Sequence, residues 1–497
     1  MNKKSLLSAF LIAVLVCGVA LAGDGHFETA FASKDVTGII ASDATWTKAN
    51  SPYTLTGPTA VNNGVTLTIE PGVTVNLGTY YLQVNGTLYA RGSSTDNIIF
   101  SSQASSDLFQ IIFTQLSSSW SEQTGAGSII ENAIINASIS ITGASPKISN
   151  NLIRDITASM MDSNVGITIS GGSPIISNNY IIGGITVGGE GASVITNNII
   201  TGGMGIHGGS HVISNNKISG GSSYFYIGRS FERDYDVIAI GSGSPVISGN
   251  NITGNSIGIG FFEGAQSNAV ISNNTIYGCG GGISIRNGNL TSLTIKGNVL
   301  MNNGVGIDAS TNVLEPIERN LISNNTNGIQ ISSNAQLTIR NNTIANNSVG
   351  ISSSPLATII CNNIQNNIQY SVSLSGTASD INASYNWWGT TDTQAINQSI
   401  YDVKRDYNLG KVNFIPFLTE PNPQAMPDPN MPIPTPITTP SPSPSPSQNS
   451  TTPPDQSSTQ PTTPTGLNEI EIAILTALII IIALLIVIVG LILKKRK

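Results

Sequence analysis

The chain has 497 residues, with 10% charged, 51 Gly, 24 Pro and a net charge of −7. So low a charged fraction is unlike an ordinary cytosolic globule, while abundant, regularly spaced Ile and Val argue against disorder. The only basic tract is the last four residues, so a phosphate-neutralising nucleic-acid surface is excluded and no nucleic-acid partner is expected.

Residues 1–22 read as a secretory signal peptide. Lys3 and Lys4 form its charged part, Leu6 to Val19 its apolar part, and Ala20-Leu21-Ala22 a small-x-small cleavage site. Residues 36–131 read as the start of the main domain. Thr66 to Val75 and Leu82 to Leu88 alternate at strand period and are broken by Gly and Pro.

From residue 132 to 386 one motif recurs, Ile-x-Asn-Asn-x-Ile, with Gly-Ile about ten residues later. Examples run from Ile148 to Ile153, Ile176 to Ile181, Ile213 to Ile218, Ile271 to Ile276 and Ile339 to Ile344. With the second Asn as anchor, the copies fall at Asn132, Asn151, Asn179, Asn198, Asn216, Asn250, Asn274, Asn298, Asn320, Asn342, Asn362 and Asn386. A period of about 22 residues, made of β-branched runs between Gly and Asn, defines a strand solenoid. A leucine-rich frame is absent. The fold class is therefore all-β, a single-stranded parallel β-helix. One coil cannot bury its Ile face alone; stacking does it. The anchor Asn is expected at a left-handed bend, its amide stacked on those of neighbouring coils. The Gly of each Gly-Ile pair is expected to mark another bend.

Cys279 and Cys361 fall four coils apart. At about 4.8 Å per coil that is nearly 20 Å, against about 7 Å for a disulfide, so both thiols are expected free. Residues 387–418 read as a cap. Trp387 and Trp388 would close the apolar core, and a short helix is expected within Thr393–Val403. Residues 419–466 form a Pro/Ser/Thr-rich linker, an extended stalk. Ile472 to Leu493 is 22 residues without a charge, long enough as a helix of about 33 Å to cross a bilayer. The basic tail 494–497 would then be cytoplasmic, which places the rod at the cell surface with the membrane as a partner.

These repeats resemble those of NosD-type and pectate-lyase-like right-handed β-helix proteins. Ile69-Glu70-Pro71-Gly72-Val73 and Asn386-Trp387-Trp388-Gly389 resemble the start and end of prokaryotic, especially archaeal, surface β-helix proteins. The resemblance covers residues 36–418 and implies the right-handed fold. It does not assign chemistry, because the family includes polysaccharide lyases, hydrolases, epimerases and non-catalytic surface proteins.

A sugar-cleaving β-helix would carry clustered carboxylates on one face. Asp155, Asp162, Glu190, Glu263, Asp308, Glu315 and Glu318 are instead scattered along the sequence. One interval is a dozen residues too long, that from Asn216 to Asn250. It holds Tyr224, Phe225, Tyr226, Arg229, Phe231, Glu232, Arg233, Asp234, Tyr235 and Asp236. Aromatic faces beside charges suit sugar stacking, so Tyr224, Tyr226, Arg229, Glu232, Arg233, Asp234 and Asp236 are the candidate ligand-binding residues. The alternative is a structural flap. His207 and His211 are four apart across a Gly-Gly turn and need not share a face. No calcium nonapeptide, zinc spacing, hydrolase elbow or phosphate loop occurs, so no cofactor and no metal is expected.

The leading functional expectation is a non-enzymatic, surface-anchored protein with a structural, adhesive or carbohydrate-binding role and glycans or envelope components as partners. The alternatives are a membrane-tethered polysaccharide lyase, hydrolase or epimerase, and a NosD-like accessory protein. The last is disfavoured for want of a Met/His/Cys cluster.

Overall fold

The computed structural model describes residues 33–427, except 104–108, 155–164, 221–222, 228–229, 235, 255, 287, 291, 333–334, 354–355 and 377–378. At 223–234 and 289 only the backbone is described. The chain divides into units 1–435 and 436–497, and the second lies outside the described residues.

The first unit is a solenoid of parallel strands in three faces. The first face is a sixteen-stranded parallel sheet that begins with Ala44–Trp46 and Thr66–Ile69 and ends with Ile381–Asn382 and Val412–Asn413. The second face follows the Asn turn and includes Ala133–Asn136, Leu152–Arg154, Thr275–Tyr277 and Asn363–Gln365. The third carries the Gly-Ile pairs and includes Ile257–Ser267, Gly281–Ile285, Val305–Ala309, Asn327–Ile331, Val349–Ser353 and Tyr370–Leu374. Strand Tyr53–Val61 pairs with strands of both later faces and joins them into one thirty-stranded sheet.

Register follows from side-chain identity. Ile148, Ile176, Ile195, Ile213, Ile247, Ile271 and Ile295 pair in succession, all essentially inaccessible to solvent. On the third face Ile283, Ile307, Ile329, Ile351 and Val372 do the same. Each buried Ile contributes roughly 1.5–3 kcal/mol relative to exposure, and a slip by one residue would turn the whole row to water. Regular coils start well before residue 132. Residues 66–113 already wind through all three faces, with Leu67, Leu88, Val75, Phe100, Leu82 and Phe113 in the core. Sixteen first-face strands stack over about 70 Å.

The asparagines form a continuous buried ladder. From Asn151 to Asn362, the backbone N–H of each anchor donates to Oδ1 of the next, up to Asn386, at 2.8–3.0 Å. The side-chain amide donates to the same oxygen and to an Ile carbonyl of the preceding coil, as Asn274 does to Ile247. The left-handed residue is the one before the anchor: Asn150, Asn178, Asn197, Asn215, Asn273 and Asn341 have φ of 54–57°. Asn132 is such a bend residue, with φ 51°, and it is Ala133 whose N–H reaches Asn151 Oδ1. The ladder therefore starts at Asn151. Division of labour explains the doublet: one Asn takes the bend, the other satisfies buried amides that the bend cannot pair.

Two further regularities complete the coil. A second Asn ladder runs at the next turn, from Cys279 N–H to Asn303, then Asn325, Asn347 and Asn367. The Gly of each Gly-Ile pair is not a bend. Gly282, Gly306 and Gly328 lie in strands, where a Cβ would run into the carbonyl oxygen of the equivalent Gly one coil on. Glycine is there for close approach of backbones.

Both ends are closed by aromatics. Trp46 stacks on Tyr53 at 4.8 Å near the start. At the far end Trp388 is buried edge-on to Phe414 at 6.1 Å, and Trp387 donates to Gln365. The α-helix Thr393–Gln398 follows, capped by the Asp392 carboxylate on Gln394 N–H. Cys279 and Cys361 are free thiols. The stretch read as the beginning of the linker is partly rod. Asn422 exchanges hydrogen bonds with Asn363, and Ala425 is fully buried with its carbonyl on Thr343 Oγ1.

The expected membrane anchor is corrected. Among the described residues the helices are Lys48–Asn50 and Thr393–Gln398, and none is long and apolar enough to cross a membrane. A span needs about 20 apolar residues. Ile472–Leu493, the basic tail and residues 1–22 lie outside the described residues. No described element supports the transmembrane part of the fold, the membrane as partner, the single-pass topology or the anchored cell-surface location.

Candidate functional site

The long interval between Asn216 and Asn250 leaves the solenoid as an antiparallel hairpin, Ser223–Ile227 with Ser230–Asp234. Its backbone register sets Tyr224 opposite Arg233, Phe225 opposite Glu232, Tyr226 opposite Phe231 and Ser223 opposite Asp234. Arg229 lies outside the described residues. The chain rejoins the third face at Asp236.

Asp236 is 1% exposed, and both its oxygens lie 3.2 Å from Arg286 Nη2. Its carboxylate rests on Gly260, where any Cβ would overlap it. That explains a glycine in a row whose next members are larger. Ala239, Gly260, Ser284, Asp308, Gln330 and Ser352 pair in register along this face, between the inward Ile positions. Arg286 follows the strand that carries Ser284, and Asp308 lies one coil further. Asp236 precedes the level of Ala239, so Asp236, Arg286 and Asp308 span four levels of one face, with Gly260 on the level between the first two. The carboxyl of Asp308 is pushed above its usual range by burial, an effect that Arg286 opposes, and its Oδ1 is buried without a hydrogen-bond partner.

His207 sits beside this cluster, on the strand Met204–His207. Its ring stacks on Phe262 at 5.8 Å and 18° and packs over Gly241. Burial lowers its pKa, so the imidazole is neutral near pH 7. His211 has a different setting. It is fully buried at a turn, and its Nδ1 accepts the Ser193 N–H at 3.1 Å. Burial lowers its pKa too, against a raising bond to Gly208. The two histidines serve separate places.

Of the sequence candidates, the structure brings Asp236 into a charged cluster and places the backbones of Tyr224, Tyr226, Glu232, Arg233 and Asp234 on the hairpin next to it. Arg286, Asp308, His207 and Phe262 were not among them. Aligning coils on their Gly-Ile pairs would have set Ser284 beside Asp308 and pointed to the same face.

Two family models match. One, the right-handed β-helix region, covers residues 139–314; the other, the periplasmic copper-binding protein NosD, covers residues 262–402. No curated protein matches the chain. With the parallel stacking above, the molecule is a right-handed parallel β-helix. Within that class its fold is of the NosD type.

The donor set of the described residues does not fit copper. Among the described residues no three His, Cys, Asp or Glu side chains gather as a metal site. The matched region contains no His, and burial pushes the Cys279 thiol up to about 11, away from the thiolate a metal requires.

Proposed function

We propose that the chain is a NosD-like accessory protein, a β-helix scaffold that binds a carbohydrate on its third face beside the 223–234 hairpin. The observation that carries this reading is the convergence of Asp236, Arg286 and Asp308 within four successive coils of one face, Asp236 reaching Arg286 across Gly260. Guanidinium and carboxyl groups together donate to and accept from vicinal hydroxyls. The Phe262–His207 stack offers a flat apolar surface for a sugar ring. The hairpin that carries Tyr224, Tyr226, Glu232, Arg233 and Asp234 in its backbone is the proposed second wall.

Binding rather than turnover is proposed because Asp236 is already neutralised by Arg286. The test is a glycan array probed with the full chain and with Asp308→Asn. The reading expects a defined set of glycans retained by the wild type and lost by the variant. Equal binding by both would count against this face, and release of shortened or unsaturated products would replace binding with catalysis. A copper titration of the same protein is expected to show no stoichiometric site.

A further inference from the structure

A second polar hollow lies at the C-terminal end of the rod, away from the cluster described above. Its volume is about 460 Å³, and it is lined by Thr393, Gln394, Asn397, Gln398, Ile400, Lys404 and Arg405. None of these seven is an acid and two are cations.

Both cations are held in place by the fold. Lys404 Nζ donates to Asn397 Oδ1 at 3.0 Å and lies 3.0 Å from Asp402 Oδ2. Asp402 is itself fully buried, its carboxylate taking the backbone N–H groups of Lys404 and Val412. Arg405 donates from Nη2 to the Gln398 carbonyl at 3.2 Å, and its guanidinium lies 5.7 Å over the ring of Tyr370, which tilts against Tyr401 at 5.2 Å. A guanidinium has five N–H donors, and Gln398 takes one. The side chains of Gln394, Asn397 and Gln398 and the Thr393 hydroxyl both donate and accept.

Lys404 is largely balanced by Asp402, which leaves Arg405 as the net charge. A hollow of this size exceeds an inorganic anion and suits a small organic molecule. We propose that this cap hollow is a binding site for a small hydroxylated molecule bearing one oxyanion. Arg405 pairs with the oxyanion and the amide side chains take the hydroxyls. The site stands independently of the third-face reading, because the two share no residue.

The test is calorimetric titration of the full chain with glucuronate, glucose and inorganic phosphate as probes. Glucuronate is expected to bind more tightly than glucose or phosphate, since each of these carries half of the recognised chemistry. Arg405→Gln removes a charge-assisted pair and is expected to weaken glucuronate roughly tenfold. Gln394→Glu, at an exposed helix position, keeps the fold while adding a like charge, and is expected to weaken it comparably. Absence of glucuronate binding, or unchanged affinity in both variants, would overturn the site. Tighter binding of phosphate than of glucuronate would overturn the assigned ligand class.

Discussion

Asn320→Ala isolates the contribution of the buried ladder. Asn320 is fully buried, and its Oδ1 accepts both the backbone N–H and the side-chain amide of Asn298 at 2.9 and 3.0 Å. Its own amide donates to Asn342 Oδ1, Glu318 O and Ile295 O. Alanine keeps the backbone bond to Asn342 but orphans the buried Asn298 N–H and removes the donors to three oxygens. One orphaned buried amide costs about 1–3 kcal/mol, and the lost bonds with the small void raise the total to about 3–5 kcal/mol. A long solenoid need not unfold in one step, so the informative assay is native-state hydrogen exchange at the Asn298 amide beside urea denaturation. Exchange there is expected to quicken by roughly two to three and a half orders of magnitude, taking about 1.4 kcal/mol per factor of ten. The control is Asn324→Gly, at an exposed bend with φ 56° that glycine adopts freely, and it is expected to change little. A loss below about 1 kcal/mol for Asn320→Ala would refute the claim that the ladder amides are satisfied only by one another.

Other outcomes follow from the same geometry. Gly306→Ala forces a methyl against the Gly328 carbonyl and is expected to lower the urea midpoint by the equivalent of roughly 2–3 kcal/mol. Arg286→Ala removes a cationic partner from the buried Asp236 carboxylate and is expected to cost roughly 3 kcal/mol, and Asp236→Asn in the same chain should restore part of it in the same assay. Asp308 has a raised pKa, so its contribution to stability is present below the unfolded value of 3.8 and is lost as pH rises through the folded value. Asp308→Asn should therefore raise the thermal midpoint at neutral pH and give no gain below pH 3.8. His207 has a lowered pKa as a base, so stability falls as pH drops below 6.5 towards the folded value. His207→Gln should flatten that acid-side slope.

The repeat was legible because stacking demands chemical identity at one register. An Ile row and an Asn ladder print themselves on the sequence at each turn. The earliest coils were harder to read, since Leu67, Val75 and Phe100 fill the same core without an Asn doublet. The roles within the doublet were also hidden. Two adjacent asparagines look alike in sequence, and the φ values separate bend from ladder at Asn132 and Ala133. The hairpin announced itself through its excess length and charge. Its partner Arg286 lies 50 residues away from Asp236, and their meeting depends on how two coils register. Gly260 gave no signal until the carboxylate above it was seen. The apolar stretch 472–493 lies outside the described residues, among which no helix is long and apolar enough to cross a membrane.

The most direct test of the proposed function is glycan retention by the wild-type chain and Asp308→Asn, measured side by side at neutral pH with thermal midpoints taken on the same samples. The account expects the variant to be at least as stable as the wild type and to lose the glycan. A stable variant that retains the glycan unchanged would contradict a binding face built from Asp236, Arg286 and Asp308.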